Sequence, residues 1–177
     1  MVYVLLVDGF EEIEAIEPID ILRRGGVDVK TVGVYKKNVI GAHNITIEAD
    51  IMISDVNIAD MELLMLPGGP GHGAIEESDA AMSLIKDAKD ADIMIAAICA
   101  SPSILGKLGY LKGRKATCFP GFEKFLDGAE LSEEKAVADG RFITGKGAGA
   151  AAEFGFMILE ILKDKKTADN LRDGMQY

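Results

Sequence analysis

Three short stretches of this chain are apolar at nearly every position, and each gives way to a helical pattern: "VYVLLV" (2–7), "MELLML" (61–66) and "DIMIAAIC" (92–99). A strand with one face in water alternates apolar and polar residues, whereas one covered on both faces has no need to. Unbroken apolar runs separated by helices therefore predict a parallel sheet sandwiched between helical layers.

The remaining segments fit that frame. After the first run, Ile13, Ile16, Ile19 and Leu22 recur at helical spacing until Gly25-Gly26. "VDVKTVGV" (27–34) reads as a second strand and residues 38–50 as a half-exposed hairpin. A helix is expected over 74–89, another after Cys99, and a short strand over 114–119. Residues 135–145 predict a hairpin around Asp139-Gly140, 148–166 a long apolar-faced helix, and 167–173 a short terminal one. The pattern predicts a doubly wound α/β fold with antiparallel additions at 38–50 and 135–145. The 177 residues carry no linker or repeat, so one domain over 1–177 is expected.

Composition narrows the partners. The net charge is −10, and the basic pairs Arg23-Arg24, Lys36-Lys37 and Lys165-Lys166 are scattered among acids. A protein that works by neutralising phosphates needs a basic face, so no nucleic-acid partner is expected. Two cysteines form no disulfide framework and suit a reducing compartment. Met1 leads straight into an apolar run with no basic segment, and no run approaches the roughly 20 residues that span a bilayer. A soluble cytoplasmic protein is the expectation, without membrane attachment.

Ligands of doubly wound sheets bind beyond the carboxyl ends of the strands. Three peculiar segments end there: Asp8 to Glu14, the loop Pro67-Gly68-Gly69-Pro70-Gly71, and Cys99. Cys99 lies between small residues, Ala97 and Ala100, with Ser101-Pro102 placed as N-cap and first helical residue. A free cysteine is often simply core. One at a strand end before a helix instead resembles a nucleophile elbow, where the helix terminus is expected to depress the thiol pKa. The glycine loop matches neither a Walker loop nor a dinucleotide fingerprint, so no cofactor is expected, nor a metal. Opposite a nucleophile, its amides near Gly69, with that of Ala100, make a candidate oxyanion hole.

Glu11, Glu12, Glu14 and Glu17 crowd the first helix, where the dipole favours carboxylates anyway. Glu14 shares a face with Pro18 and Ile21, beside the apolar stripe, yet spacing does not separate it from its neighbours. His43 and His72 are the two histidines, and each is an auxiliary candidate or a surface residue. Cys118 reads as a small core residue, with a resolving thiol as the alternative.

The set "DGFEEIEAIEPIDILRRGG", "LMLPGGPG", "AAICASP" and "FITGKGAGAAAEFGFMILEIL" closely resembles the ThiJ/PfpI superfamily, in the branch named after the parkinsonism-associated protein deglycase. The resemblance runs in order along essentially the whole chain. It implies a flavodoxin-like sheet, a homodimer, and an oxidation-prone nucleophile at Cys99 hydrogen-bonded by Glu14, with amides from Gly69 and Ala100. Two departures stand out. Animal members carry a His before a Pro where "TCFPGFE" has Phe119, and protease-like members carry His directly after the Cys where this chain has Ala100. The second departure argues against a peptidase. His43 falls where animal proteins carry an Arg that approaches the partner subunit's site. Implied is a glutathione-independent glyoxalase or deglycase acting on methylglyoxal or glycated adducts. The alternative is a redox sensor or chaperone working through oxidation of Cys99 to sulfinate.

Overall fold

A computed structural model describes residues 1–177. Its strands are β1 (Val2–Leu6), β2 (Val29–Gly33), β3 (Asn38–Ile40), β4 (Thr46–Glu48), β5 (Ile51–Met52), β6 (Leu63–Leu66), β7 (Met94–Ile98), β8 (Lys115–Ala116), β9 (Glu130–Leu131), β10 (Ala136–Asp139) and β11 (Phe142–Gly145). Its α-helices are α1 (Glu12–Arg24), α2 (Gly73–Glu76), α3 (Asp79–Asp90), α4 (Pro102–Lys107), α5 (Ala151–Leu162) and α6 (Lys165–Met175). None is long and apolar enough to cross a membrane.

Seven strands form the main sheet in the order β10-β11-β7-β6-β1-β2-β5, parallel throughout except for β10. The expected flavodoxin-like, doubly wound sheet is thus what forms. Its apolar runs supply both faces. Val2, Val4 and Leu6 of β1 enter one core with α1 and α5, while Tyr3 and Leu5 enter the other with α3. Residues that alternate in direction all meet apolar partners, which is why these strands show no polar alternation. α1 and α5 lie so close that a Cβ on Gly155 would stand 3.0 Å from Pro18 Cα.

Four details depart from the sequence reading. The helix expected over 74–89 is two, because buried Ser78 accepts a bond from the Ala81 N–H and starts α3 afresh. The helix expected over 148–166 is a 3-10 turn (Ala148–Ala150) followed by α5, and Asp164 then caps α6 through the Thr167 N–H. The 38–50 hairpin forms its own two-stranded sheet instead of extending the main one. In the 135–145 hairpin only β10 is antiparallel to the main sheet, since β11 pairs in parallel with β7.

β1, β6, β7 and β11 all end at one edge. There the loops 8–11, 67–71, 99–101 and 146–148 converge beside the point where the strand order reverses, the usual ligand position in this architecture.

Candidate active site

Cys99 follows β7 with φ of +66°, a left-handed conformation that side chains other than glycine rarely adopt. Backbone bonds hold it from both sides: its N–H donates to the Gly145 carbonyl (2.8 Å), and its carbonyl accepts from the Phe119 N–H (2.8 Å). Strain of this kind persists where surrounding structure over-determines the turn. Ser101 and Pro102 are the N-cap and first helical residue of α4, as expected, but the Ser101 side chain makes no capping bond: its hydroxyl donates to the Pro67 carbonyl at 2.6 Å, tying the cysteine turn to the glycine loop.

Glu14 reaches this turn from the first turn of α1. It is 1% exposed, and its Oε2 accepts the Gly68 N–H at 3.0 Å while the carboxyl also hydrogen-bonds Cys99. Gly68 has no room for a side chain, since a Cβ would lie 2.5 Å from both Cys99 Cβ and Glu14 Oε2. The absence of that one carbon lets carboxyl and thiol meet.

The electrostatics overturn one expectation. Burial, followed by the charge and hydrogen bond of Glu14, pushes the Cys99 thiol up to about 12, although the amides of Gly69 and Ala100 pull the other way. The helix terminus does not depress this thiol, because desolvation beside an anion outweighs two amides. Glu14 is itself pushed up to about 7, mainly by burial and with help from the Glu11 charge. The two groups share one proton: with Glu14 ionised the thiol holds it, and with Glu14 protonated its O–H can donate to a thiolate.

Beyond this pair, a pocket of about 370 Å³ is lined by Glu11, Pro70, His72, Phe119, Phe122 and Ala148. His72 Nδ1 lies 3.1 Å from the Gly69 carbonyl, so that nitrogen carries the proton and the ring edge meets Phe122. His43 does not line this pocket. It is exposed on the 41–45 turn, where Glu12 Oε2 at 2.9 Å holds its imidazole pKa above the usual range. Glu11, Glu12 and His43 offer ligand atoms within 4.8 Å of one another, yet both Glu12 oxygens already accept bonds from His43. Cys118 is buried, its thiol pushed up to about 11 by burial, and it faces a separate cavity with Glu123, Ser132 and Lys146.

The fold thus brings together Cys99, Glu14, Gly69, Ala100 and His72, and leaves out His43 and Cys118. Sequence reasoning passed over Gly68, Phe122 and the pocket-facing role of Glu11. Gly68 and Glu11 were visible only as members of a glycine run and an acidic run.

Residues 1–161 match the profile of the DJ-1/PfpI family. The chain belongs to that family. Among DJ-1 relatives, it is 37% identical over 164 residues to protein DJ-1 homolog B of Arabidopsis thaliana, a match covering 90% of this chain and 37% of that protein. The chain spans less than half the length of such Arabidopsis relatives. It is 32% identical to the glutathione-independent glyoxalase DJR-1.2 of Caenorhabditis elegans (91% and 87% of the two chains). With a deglycase of Pyrococcus abyssi the identity is 30% over 82% of this chain and 89% of that one. The crystal structure of Drosophila melanogaster DJ-1beta superposes with a TM-score of 0.92 at 32% identity, covering 99% of this chain and 96% of that one. Glyoxalase- and deglycase-named proteins are therefore among its relatives within the DJ-1/PfpI family.

Proposed function

We propose that this protein is a cysteine-dependent, glutathione-independent glyoxalase or deglycase that acts on methylglyoxal or on its glycated adducts. The supporting observation is a buried carboxyl hydrogen-bonded to a cysteine on a strained elbow, with two backbone amides beside the sulfur. Glu14 takes the Cys99 proton, and the thiolate adds to the aldehyde carbon. A C–S bond forms, and the carbonyl π pair moves to oxygen, which the Gly69 and Ala100 N–H groups stabilise and Glu14 protonates. In the resulting hemithioacetal, Glu14 removes the proton from the former aldehyde carbon and returns one to the neighbouring carbonyl carbon, while the hydroxyl proton passes to the former ketone oxygen and leaves a carbonyl behind. The product is a thioester of lactate, which water cleaves to lactate and free thiol. A carboxyl poised near 7 suits both directions of transfer. The test is lactate formation from methylglyoxal without glutathione. Loss of turnover in Cys99→Ala supports the reading, and absence of turnover in the wild type overturns it.

The same amides and a protonated Glu14 favour a second reading, a redox sensor in which they hold the oxygens of a Cys99 sulfinate. Selective oxidation of Cys99 by mild peroxide in a chain that turns over no aldehyde would support it. In either reading we take 1–177 as one domain and the working protein as a homodimer, which sedimentation would test.

A further inference from the structure

Two cavities meet at one side chain. The pocket above Cys99, about 370 Å³, and a neighbouring groove of about 390 Å³ that runs along residues 146–150 have just Phe119 and Ala148 in common. Alanine is too short to part them, so the Phe119 ring is the partition. Its backbone is fixed to the cysteine turn, because the Phe119 N–H donates to the Cys99 carbonyl at 2.8 Å, and its own carbonyl accepts from the Phe122 N–H at 3.1 Å. The ring leans over the site where Gly147 leaves space: a Cβ there would stand 3.2 Å from Phe119 Cδ2 and 3.8 Å from Glu14 Oε1.

The two phenylalanines of the pocket differ in what holds them. Phe122 has a ring on either side, with centroids 5.3 Å away at His72 and 6.0 Å away at Phe125. Phe119 packs against no other ring and is 46% exposed. A hydrocarbon ring neither takes nor gives a proton, so Phe119 acts on whatever approaches Cys99 through its volume.

From this geometry we propose that Phe119 is a specificity-determining residue that sets an upper size limit on what reaches Cys99. Carbonyl compounds with a short, unbranched chain beside the reacting carbon fit between the two phenylalanines. Those with a ring or a branch there collide with the Phe119 ring, and the clash excludes them. The groove behind the ring stays closed to the substrate. The proposal rests on reading Cys99 as the nucleophile.

The test reads access to the thiol and needs no turnover, so it separates this proposal from the enzymatic one. N-ethylmaleimide and N-pyrenylmaleimide, both uncharged, are compared for their rates at Cys99, located by peptide mapping and normalised to a small free thiol. In the wild type the bulky reagent is expected to fall behind by on the order of tenfold. Phe119→Ala joins the two cavities and should raise the bulky-to-small ratio several-fold. Phe119→Tyr keeps the ring and should hold the ratio near the wild-type value. Labelling of the buried Cys118 reports on the fold and should stay slow in both variants. A wild-type ratio equal to that of the free thiol, one unchanged by Phe119→Ala, or one that rises only together with Cys118 labelling overturns the proposal. A Cys99 inert to both reagents overturns the nucleophile reading and the proposal with it.

Discussion

The Ser101 hydroxyl donates to the Pro67 carbonyl at 2.6 Å, joining the turn that carries Cys99 to the loop that carries Gly68 and Gly69. Both partners are buried. Ser101→Ala leaves the Pro67 carbonyl without that donor, and the expected cost is about 1–3 kcal/mol of stability. Urea unfolding of the two proteins measures it. An unchanged midpoint would mean that the tie contributes nothing.

Gly68→Ala is the sharper lesion. The new methyl group would meet Cys99 and Glu14 together, so one of them must move. Overpacking of this kind costs roughly 1–3 kcal/mol. The Cys99–Glu14 contact is expected to be lost, and with it the proposed activity, even where the variant remains folded by circular dichroism. Retained wild-type turnover would show that the pair tolerates separation.

The backbone at Cys99 offers a comparison of two knockouts. Both Cys99→Ala and Cys99→Gly remove the thiol, but only glycine relieves the positive φ. Cys99→Gly should be the more stable of the two by about 1 kcal/mol in chemical denaturation. Equal stabilities, or the reverse order, would mean that the turn stores no strain.

Glu14 sets a pH dependence whose sign follows from its raised value. A carboxyl lifted to about 7 in the folded chain, above its ordinary value of 4.5, binds its proton more tightly folded than unfolded. Its contribution is fully present below about 4.5 and is lost as pH rises through about 7. The span amounts to a few kcal/mol at most, on the order of 1.4 per unit. Glu14→Gln should flatten the change in unfolding free energy between those two pH values. If the wild type and the variant show the same slope, Glu14 is not the titrating group.

The sheet was legible because residues buried on both faces leave unbroken apolar runs, as in 2–7 and 92–99. Cys99 was legible for a related reason: Ala97 and Ala100 leave room for a sharp turn at the end of such a run. Glu14 was only half legible. Helical spacing placed it beside Pro18 and Ile21, but its burial depends on Gly68, 54 residues away. Its resemblance to a family motif, not its spacing, set it apart from Glu11 and Glu12. The thiol was misjudged because a helix terminus is a local signal, whereas desolvation and the Glu14 charge are tertiary. The breaks at Ser78 and Asp164 had visible signals, since both are ordinary cap residues within otherwise helical stretches.

Cys99 is held by Gly145 on one side and Phe119 on the other, faces Glu14, and lies against Gly68. Those contributors come from β11, the segment after β8, the first helix and the loop after β6, so no contiguous fragment contains the arrangement. Its contacts are long-range in sequence and close only when the central strands are in register. Any partial opening that frees β11 from β7 releases one clamp on the turn and separates Cys99 from its surroundings. The environment of the cysteine is therefore as cooperative as the sheet, present when the strands are docked and absent when one of them leaves.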